Sequence, residues 1–251
     1  MSTVRQHTMQ PLRRTWQGPG FETFGSIFGF VYAFLAVNFL LAAANAPLLL
    51  GLALVADPVT AWPFFLLLSV TVAPSLAAAF AAFQSLKEAE GPAVRPVAAF
   101  LLGYRRSFRR AAPTGLAAVA AVGFLGVDLV IVQVMPAAAV LVPLIALALT
   151  AVVCVAVTVL AGMVLLPRAR TRAILKASLY LSVQRWYLSL AALVLLGIVV
   201  AAVLVQPVIG VALAPAPLLF VVWSNAAYTF QAALRTVGPP DRLVWEMRGR
   251  P

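Results

Sequence analysis

The chain has 251 residues, of which 63% are hydrophobic and only 10% are charged. This balance excludes an ordinary soluble domain, because charged side chains would have to cover its surface. The single cysteine, Cys154, excludes an internal disulfide and redox chemistry by a cysteine pair. We therefore expect a protein whose long apolar segments face lipid or one another.

Long apolar stretches dominate the chain. A hydrocarbon core of about 30 Å needs roughly 20 helical residues, and barrel strands would instead alternate apolar and polar residues. The sequence therefore predicts an all-α polytopic membrane protein, with tails at residues 1–23 and 235–251. The six predicted crossings lie at about residues 28–52, 63–84, 113–135, 137–166, 187–205 and 214–234. Pro136 and Pro207 mark the turns inside the two longest apolar stretches.

All eighteen Lys and Arg residues lie in the two tails and in segments 87–110 and 168–185. Because basic loops are retained in the cytoplasm during insertion, six crossings with both ends inside place every base on one side. The formal net charge of +11 is spread over all these inner segments. This spread favours contact with anionic lipid headgroups over nucleic acid binding.

Segment 96–110 has apolar and aromatic residues at helical spacing, with arginines on its other faces. We interpret it as an amphipathic helix that lies along the inner leaflet before Pro113 opens the third crossing. A solvated basic loop is the alternative. A second basic segment, 168–185, has a similar but less regular pattern. The candidates for lipid or partner contact are Arg105, Arg106, Arg109 and Arg110.

Asp128 is the only ionisable residue deep inside a predicted crossing, where an ionised carboxylate would cost about 2.5–3.5 kcal/mol. It is either a proton, cation or solute site, or a neutral or hydrogen-bonded residue near the outer end of its helix. Polar residues in crossings can line a path or, as we favour, bond between helices. The candidate intramembrane polar site comprises Asp128, Asn38, Asn45, Gln133 and Asn225. Gly25 and Gly29 form a single G-x-x-x-G pattern.

Signals for an enzyme are absent from the sequence. The lone histidine, His7, cannot build a catalytic triad or a histidine metal site without partners. Neither Lys87 nor Lys176 belongs to a phosphate-binding loop motif. We therefore expect neither catalysis, nor a cofactor, nor a metal.

The first half carries a recognisable pattern: Asn38-Phe39-Leu40, Asn45-Ala46-Pro47, the alanine-rich segment 73–80, and the basic, phenylalanine-containing segment 100–110. Over residues 24–130 it resembles the YesL-like family of uncharacterised bacterial polytopic membrane proteins. The stretch 48–62 is longer than the short link typical of that family.

The resemblance implies an accessory or regulatory partner of a carbohydrate uptake system in the bacterial cytoplasmic membrane. Sugar ABC-transporter permease subunits or a second copy of the chain are the implied protein partners. Two alternatives stay open. One is a small-solute transporter with Asp128 in its pathway, and the other is a membrane scaffold.

Overall fold

The computed structural model describes residues 19–57, 60–88, 95–134, 138 and 140–237. This part of the chain contains ten α-helices and no strand, which confirms the predicted all-α polytopic membrane fold. The helices are α1 Pro19–Ala44, α2 Ala46–Leu54, α3 Trp62–Ser69, α4 Val72–Glu88, α5 Pro96–Gln133, α6 Leu141–Leu165, α7 Thr171–Gln184, α8 Trp186–Val205, α9 Pro207–Leu213 and α10 Pro215–Val237. Most of both predicted tails and the turn at Pro136 lie outside the described residues.

Four described stretches are long and apolar enough to cross a membrane: α3 with α4, α5, α6 and α8. A fifth span results if the bent pair α1 and α2 counts as one. Helix α10 has 23 residues and, at about 1.5 Å per residue, is also long enough. Its more polar sequence keeps it outside the apolar set, so the count of six crossings stays a prediction.

The predicted first crossing is divided into α1 and α2, which meet at an angle of 66° at Asn45. Pro47 lies in the first turn of α2, where its missing N–H is tolerated, but it cannot donate to the α1 carbonyl four residues earlier. Asn45 Nδ2 and the Asn45 N–H donate to the Leu41 carbonyl at 2.9 and 3.0 Å. The Asn45-Ala46-Pro47 pattern therefore marks a bend between two helices.

Helix α5 is continuous over 38 residues, and Pro113 lies inside it. The amphipathic segment 96–110 is helical and continues through Pro113 without a break, so Pro113 does not begin a separate helix. Where along α5 the crossing begins stays a prediction. The continuity has a packing cause, because α5 contacts α4 on both sides of the proline through glycines. A Cβ on Gly103 would lie 2.6 Å from Ala81 Cβ, and a Cβ on Gly115 would meet Ala73. Small residues of this kind let helix backbones approach closely in membranes.

The core is formed mainly by α4, α6 and α10, with further buried residues from α1, α5 and α7. Helix α4 contributes buried alanines, and an aromatic cluster joins α1, α4 and α10. In that cluster the Phe83 and Phe220 ring centroids are 5.5 Å apart, and those of Phe34 and Phe220 are 5.6 Å apart. Helix α8 has no buried residue at all. The fold therefore combines a core shared by six helices with a peripheral α8 that presents apolar surface outward.

Candidate polar sites at the two ends of the bundle

The basic segments 87–110 and 168–185 meet at one end of the bundle, which we call the inner end. The Arg110 guanidinium donates to the Pro167 and Ala169 carbonyls at 2.8 and 2.5 Å and to the Thr171 hydroxyl at 3.3 Å. Lys87 Nζ lies 5.8 Å from the centre of the Trp223 ring. The structure thus brings separate basic segments together, as a common cytoplasmic side requires.

The four predicted contact arginines differ in their surroundings. Arg105, Arg106 and Arg109 are exposed, whereas Arg110 is half-buried and holds three acceptors. Charge-assisted hydrogen bonds of this kind fix the position of a guanidinium. Arg110 therefore links α5 to the segment before α7, and the other three remain available for lipid or partner contact.

Asn38 is buried on α1 and connects it to the junction of α9 and α10. Its Nδ2 donates to the Ala212 carbonyl at 2.8 Å, and its Oδ1 accepts from the Ala216 N–H at 2.7 Å. Ala216 lies in the first turn of α10, where backbone N–H groups lack partners within the helix. One carboxamide therefore satisfies a free acceptor and a free donor at a break between helices.

Asn45, at the bend of α1 and α2, is linked to the start of α4. Asn45 Nδ2 donates to Ser75 Oγ at 2.8 Å, and Ser75 Oγ donates to the Val72 carbonyl at 2.8 Å. The Thr71 hydroxyl, which donates to the Leu68 carbonyl at 2.8 Å, also lies 3.3 Å from Asn45 Oδ1. We call Asn38, Asn45, Thr71 and Ser75 the outer cluster. Three of these side chains also line a cavity of about 180 Å³ whose other walls are apolar.

The second set of polar groups lines a small cavity near the inner end, between α6, α10 and the elbow where α7 turns into α8. Polar or charged side chains of this inner cavity are Cys154, Thr158, Ser182, Arg185, Ser189, Asn225 and Thr229. Of these, the sequence predicted only Asn225 as a site residue. The sequence did not indicate Ser182, Arg185 and Ser189, because they belong to the basic segment and its junction with a crossing. No sequence spacing predicts that they lie next to α10.

One side chain of the inner cavity is buried without a protein partner. Ser182 Oγ has no hydrogen-bond partner in the described structure, and outside the cavity the same holds for Ser178 Oγ and Trp223 Nε1. The half-buried Asn225 carboxamide makes no hydrogen bond to a described residue, although the Asn225 carbonyl accepts from the Thr229 hydroxyl at 2.8 Å. Buried polar groups in native proteins are almost always paired, so the Ser182 hydroxyl calls for a partner.

Arg185 is the only charged residue among those that line the inner cavity. Its guanidinium carbon lies 5.3 Å from the centre of the exposed Tyr228 ring, within the range of a cation–π contact. Within the described residues it has no ion-pair or hydrogen-bond acceptor. The cavity therefore carries an uncompensated positive charge at its rim.

Asp128 and Gln133 join neither set. Asp128 is half-buried near the outer end of α5, and in the described structure it has no hydrogen-bond or ion-pair partner. Gln133 is exposed at the last residue of α5. The five predicted polar residues are thus distributed over three places: Asn38 and Asn45 in the outer cluster, Asn225 in the inner cavity, and Asp128 with Gln133 on α5.

The larger cavity between α3 and α5 is apolar. It measures about 610 Å³ and is lined by residues such as Trp62, Leu66, Gly126 and Val127. Five of its eleven lining residues, Trp62 and Val127 among them, are exposed on the surface of the bundle, where lipid chains would surround them. No group of three or more His, Cys, Asp or Glu that could hold a metal occurs among the described residues.

Comparisons with protein families, curated proteins and solved structures give no match to the chain. The resemblance to the YesL-like family therefore remains an expectation from the residues quoted above. Functional argument has to come from the surfaces and polar groups of the chain itself.

Proposed function

We propose that the chain is a non-enzymatic multi-pass protein of the bacterial cytoplasmic membrane that acts as an accessory or regulatory partner of a carbohydrate uptake system. The observation that carries the proposal is α8, an apolar helix of 20 residues with no buried residue. A helix with this much free surface suits packing against another membrane protein. The carbohydrate system comes from the family resemblance of the first half.

The exposed face of α8 has the features of a helix-packing surface. Val194, Ile198 and Val200 are exposed, and a Cβ on Gly197 would find nothing within 4 Å. A glycine in such an open place lets a partner helix approach closely. At the inner end Arg105, Arg106 and Arg109 would supply positive charge to acidic groups of a partner or of lipid.

The placement of the polar residues favours this proposal over a transporter. A solute path needs polar groups that converge near the middle of the membrane. Here the outer cluster is occupied in bonding helices together, and Asp128 lies apart from both the outer cluster and the inner cavity. The transporter with Asp128 in its pathway is therefore the weaker candidate.

The test is to purify the chain with a C-terminal tag from its native membrane in mild detergent and to identify bound proteins by mass spectrometry. Wild type should recover subunits of a sugar permease in near-stoichiometric amount. Gly197→Leu should reduce this recovery at least about tenfold, because the added side chain separates the helices. Gly29→Leu is the matched control, since Gly29 on α1 is exposed and also has open space around its Cα.

Three results would contradict parts of this proposal. If the protein is recovered alone, the accessory role is wrong, and flux in reconstituted vesicles becomes the measurement of interest. If Gly197→Leu and Gly29→Leu lower recovery equally, a partner is bound but α8 is not its contact surface. A partner unrelated to sugar uptake would overturn the implication of the family resemblance.

A further inference from the structure

Polar side chains of the inner cavity lack protein partners, and their hydrogen-bonding capacity indicates which kind of ligand they could bind. The Ser182 hydroxyl is buried without a partner, and the half-buried Asn225 and Arg185 side chains have no hydrogen-bond acceptor among the described residues. Each can donate hydrogen bonds, and no carboxylate is among the described residues that line the cavity. The missing group is therefore an acceptor that carries negative charge.

The size of the cavity limits which chemical group can enter it. Its free volume is about 30 Å³, which is space for about two oxygen atoms, since one water needs roughly 10–15 Å³ by the same measure. The cavity is open on one side. A larger molecule can therefore stay outside while it inserts two oxygens of an oxyanion group.

The position of the cavity indicates what lies outside it. Arg185 joins the basic helix α7 to the membrane helix α8, at the inner end of the bundle. Trp186, Tyr187 and Tyr228 around this junction are exposed. Trp and Tyr are typical of the level of lipid headgroups, and basic pockets between helices on the cytoplasmic side are suited to phosphate.

We propose that the inner cavity binds a phosphate group, with Arg185 as its charge partner and Ser182 and Asn225 as neutral donors. Two sources share this chemistry: the headgroup of an anionic phospholipid in the inner leaflet, and a free phosphate in the cytoplasm. The proposal is independent of the proposed function. It also differs from the lipid contact predicted for Arg105, Arg106 and Arg109, because these arginines are exposed and line no part of the cavity.

The experiment uses the full chain in detergent and measures binding by native mass spectrometry. In one arm the probes are phosphatidylglycerol and diacylglycerol, which has no phosphate. In the other arm inorganic phosphate is added and thermal stabilisation is recorded. Both arms use wild type, Arg185→Gln, Ser182→Ala and Arg172→Gln, where Arg172 is an exposed base on α7 that does not line the cavity.

A lipid source predicts that phosphatidylglycerol binds and diacylglycerol does not. Affinity for phosphatidylglycerol should fall about tenfold in Arg185→Gln, because a charged hydrogen bond is lost, and should stay unchanged in Arg172→Gln. In Ser182→Ala the affinity for phosphatidylglycerol should fall about fivefold. This smaller substitution keeps the test decisive if Arg185→Gln does not fold.

A free-phosphate source predicts that inorganic phosphate stabilises wild type and Arg172→Gln but neither Arg185→Gln nor Ser182→Ala. Equal binding of both probes to all folded variants would overturn the phosphate site. So would loss of phosphatidylglycerol binding in Arg172→Gln as large as that in Ser182→Ala, because the contact would then be general surface charge.

Discussion

The outer cluster and the inner cavity have similar polar residues but differ in how these residues are satisfied. At the outer end, the Asn38 and Asn45 carboxamides and the Ser75 hydroxyl all have protein partners at 2.7–2.9 Å. At the inner end, the Ser182 hydroxyl is buried without a partner, and the half-buried Asn225 carboxamide makes no hydrogen bond to a described residue. Polar groups inside a membrane protein therefore serve two purposes here. Those of the outer cluster hold helices together at the breaks between them, and those of the inner cavity are free to bind the proposed phosphate group.

Asn38→Leu should have the largest effect of any single change in the outer cluster. It leaves the Ala216 N–H and the Ala212 carbonyl without partners, which should cost about 3 kcal/mol of folding stability. The matched change Asn225→Leu should cost less than about 1 kcal/mol, because that carboxamide has no protein partner. Thermal unfolding in detergent, followed by tryptophan fluorescence, measures both. Equal losses would remove the distinction between the two ends.

Gly162→Ala tests whether the unpartnered groups of the inner end reflect loose packing. A Cβ on Gly162 would lie 2.7 Å from Ile174 Cγ2 and from Phe230 Cζ, so we expect a loss of about 2 kcal/mol by overpacking. Gly197→Ala on α8 is the control and should gain up to about 1 kcal/mol from helix propensity. A neutral Gly162→Ala would mean that the inner end is loosely packed and that its unpaired hydroxyls are a consequence.

Replacing Ser75 and Ser182 each by alanine compares the outer cluster and the inner cavity directly. Ser75→Ala should lose about 1 kcal/mol, because Asn45 Nδ2 loses its acceptor. Ser182→Ala, in protein freed of lipid, should be neutral or gain up to about 1 kcal/mol, since a buried unpaired hydroxyl disappears. Midpoints of thermal unfolding for the two variants should therefore move apart. Destabilisation of both by the same amount would show that Ser182 has a protein partner.

Asp128→Asn should have the smallest effect. Asp128 belongs to neither the outer cluster nor the inner cavity, so stability should change by less than about 0.5 kcal/mol. Recovery of bound proteins should equal that of wild type. Loss of a pH-dependent solute flux in reconstituted vesicles on this change would instead support the transporter alternative.

The sequence was sufficient for the all-α membrane fold, because long apolar stretches admit few other structures. It also located the helix break at Gln206-Pro207, where proline removes a backbone donor. Nothing in the local sequence shows that α5 continues through Pro113, with Gly103 and Gly115 packed on α4 on either side of the proline. Local propensity cannot reveal such long-range contacts.

The sites were harder to predict than the fold for the same reason. Asn38 was identified, but its backbone partners lie more than 170 residues away along the chain. Close contacts between helices occur at Gly103, Gly115 and Gly162, which no short sequence pattern marks, whereas Gly29 of the G-x-x-x-G pattern has open space around it. Ser182 gave no signal at all, because its significance lies in lacking a partner, which is a property of three-dimensional packing.

Water access to the two ends tests the central distinction most directly. In a Cys154→Ala background, which has no other cysteine, Ser75→Cys and Arg185→Cys are each exposed to a charged, membrane-impermeant thiol reagent in membrane vesicles of either orientation. The account predicts that Arg185→Cys, at the rim of the inner cavity, reacts from the cytoplasmic side only and that Ser75→Cys reacts from neither side. Reaction of Ser75→Cys from either side would contradict the account, because the outer cluster would then be part of a water-filled path and not a closed joint between helices.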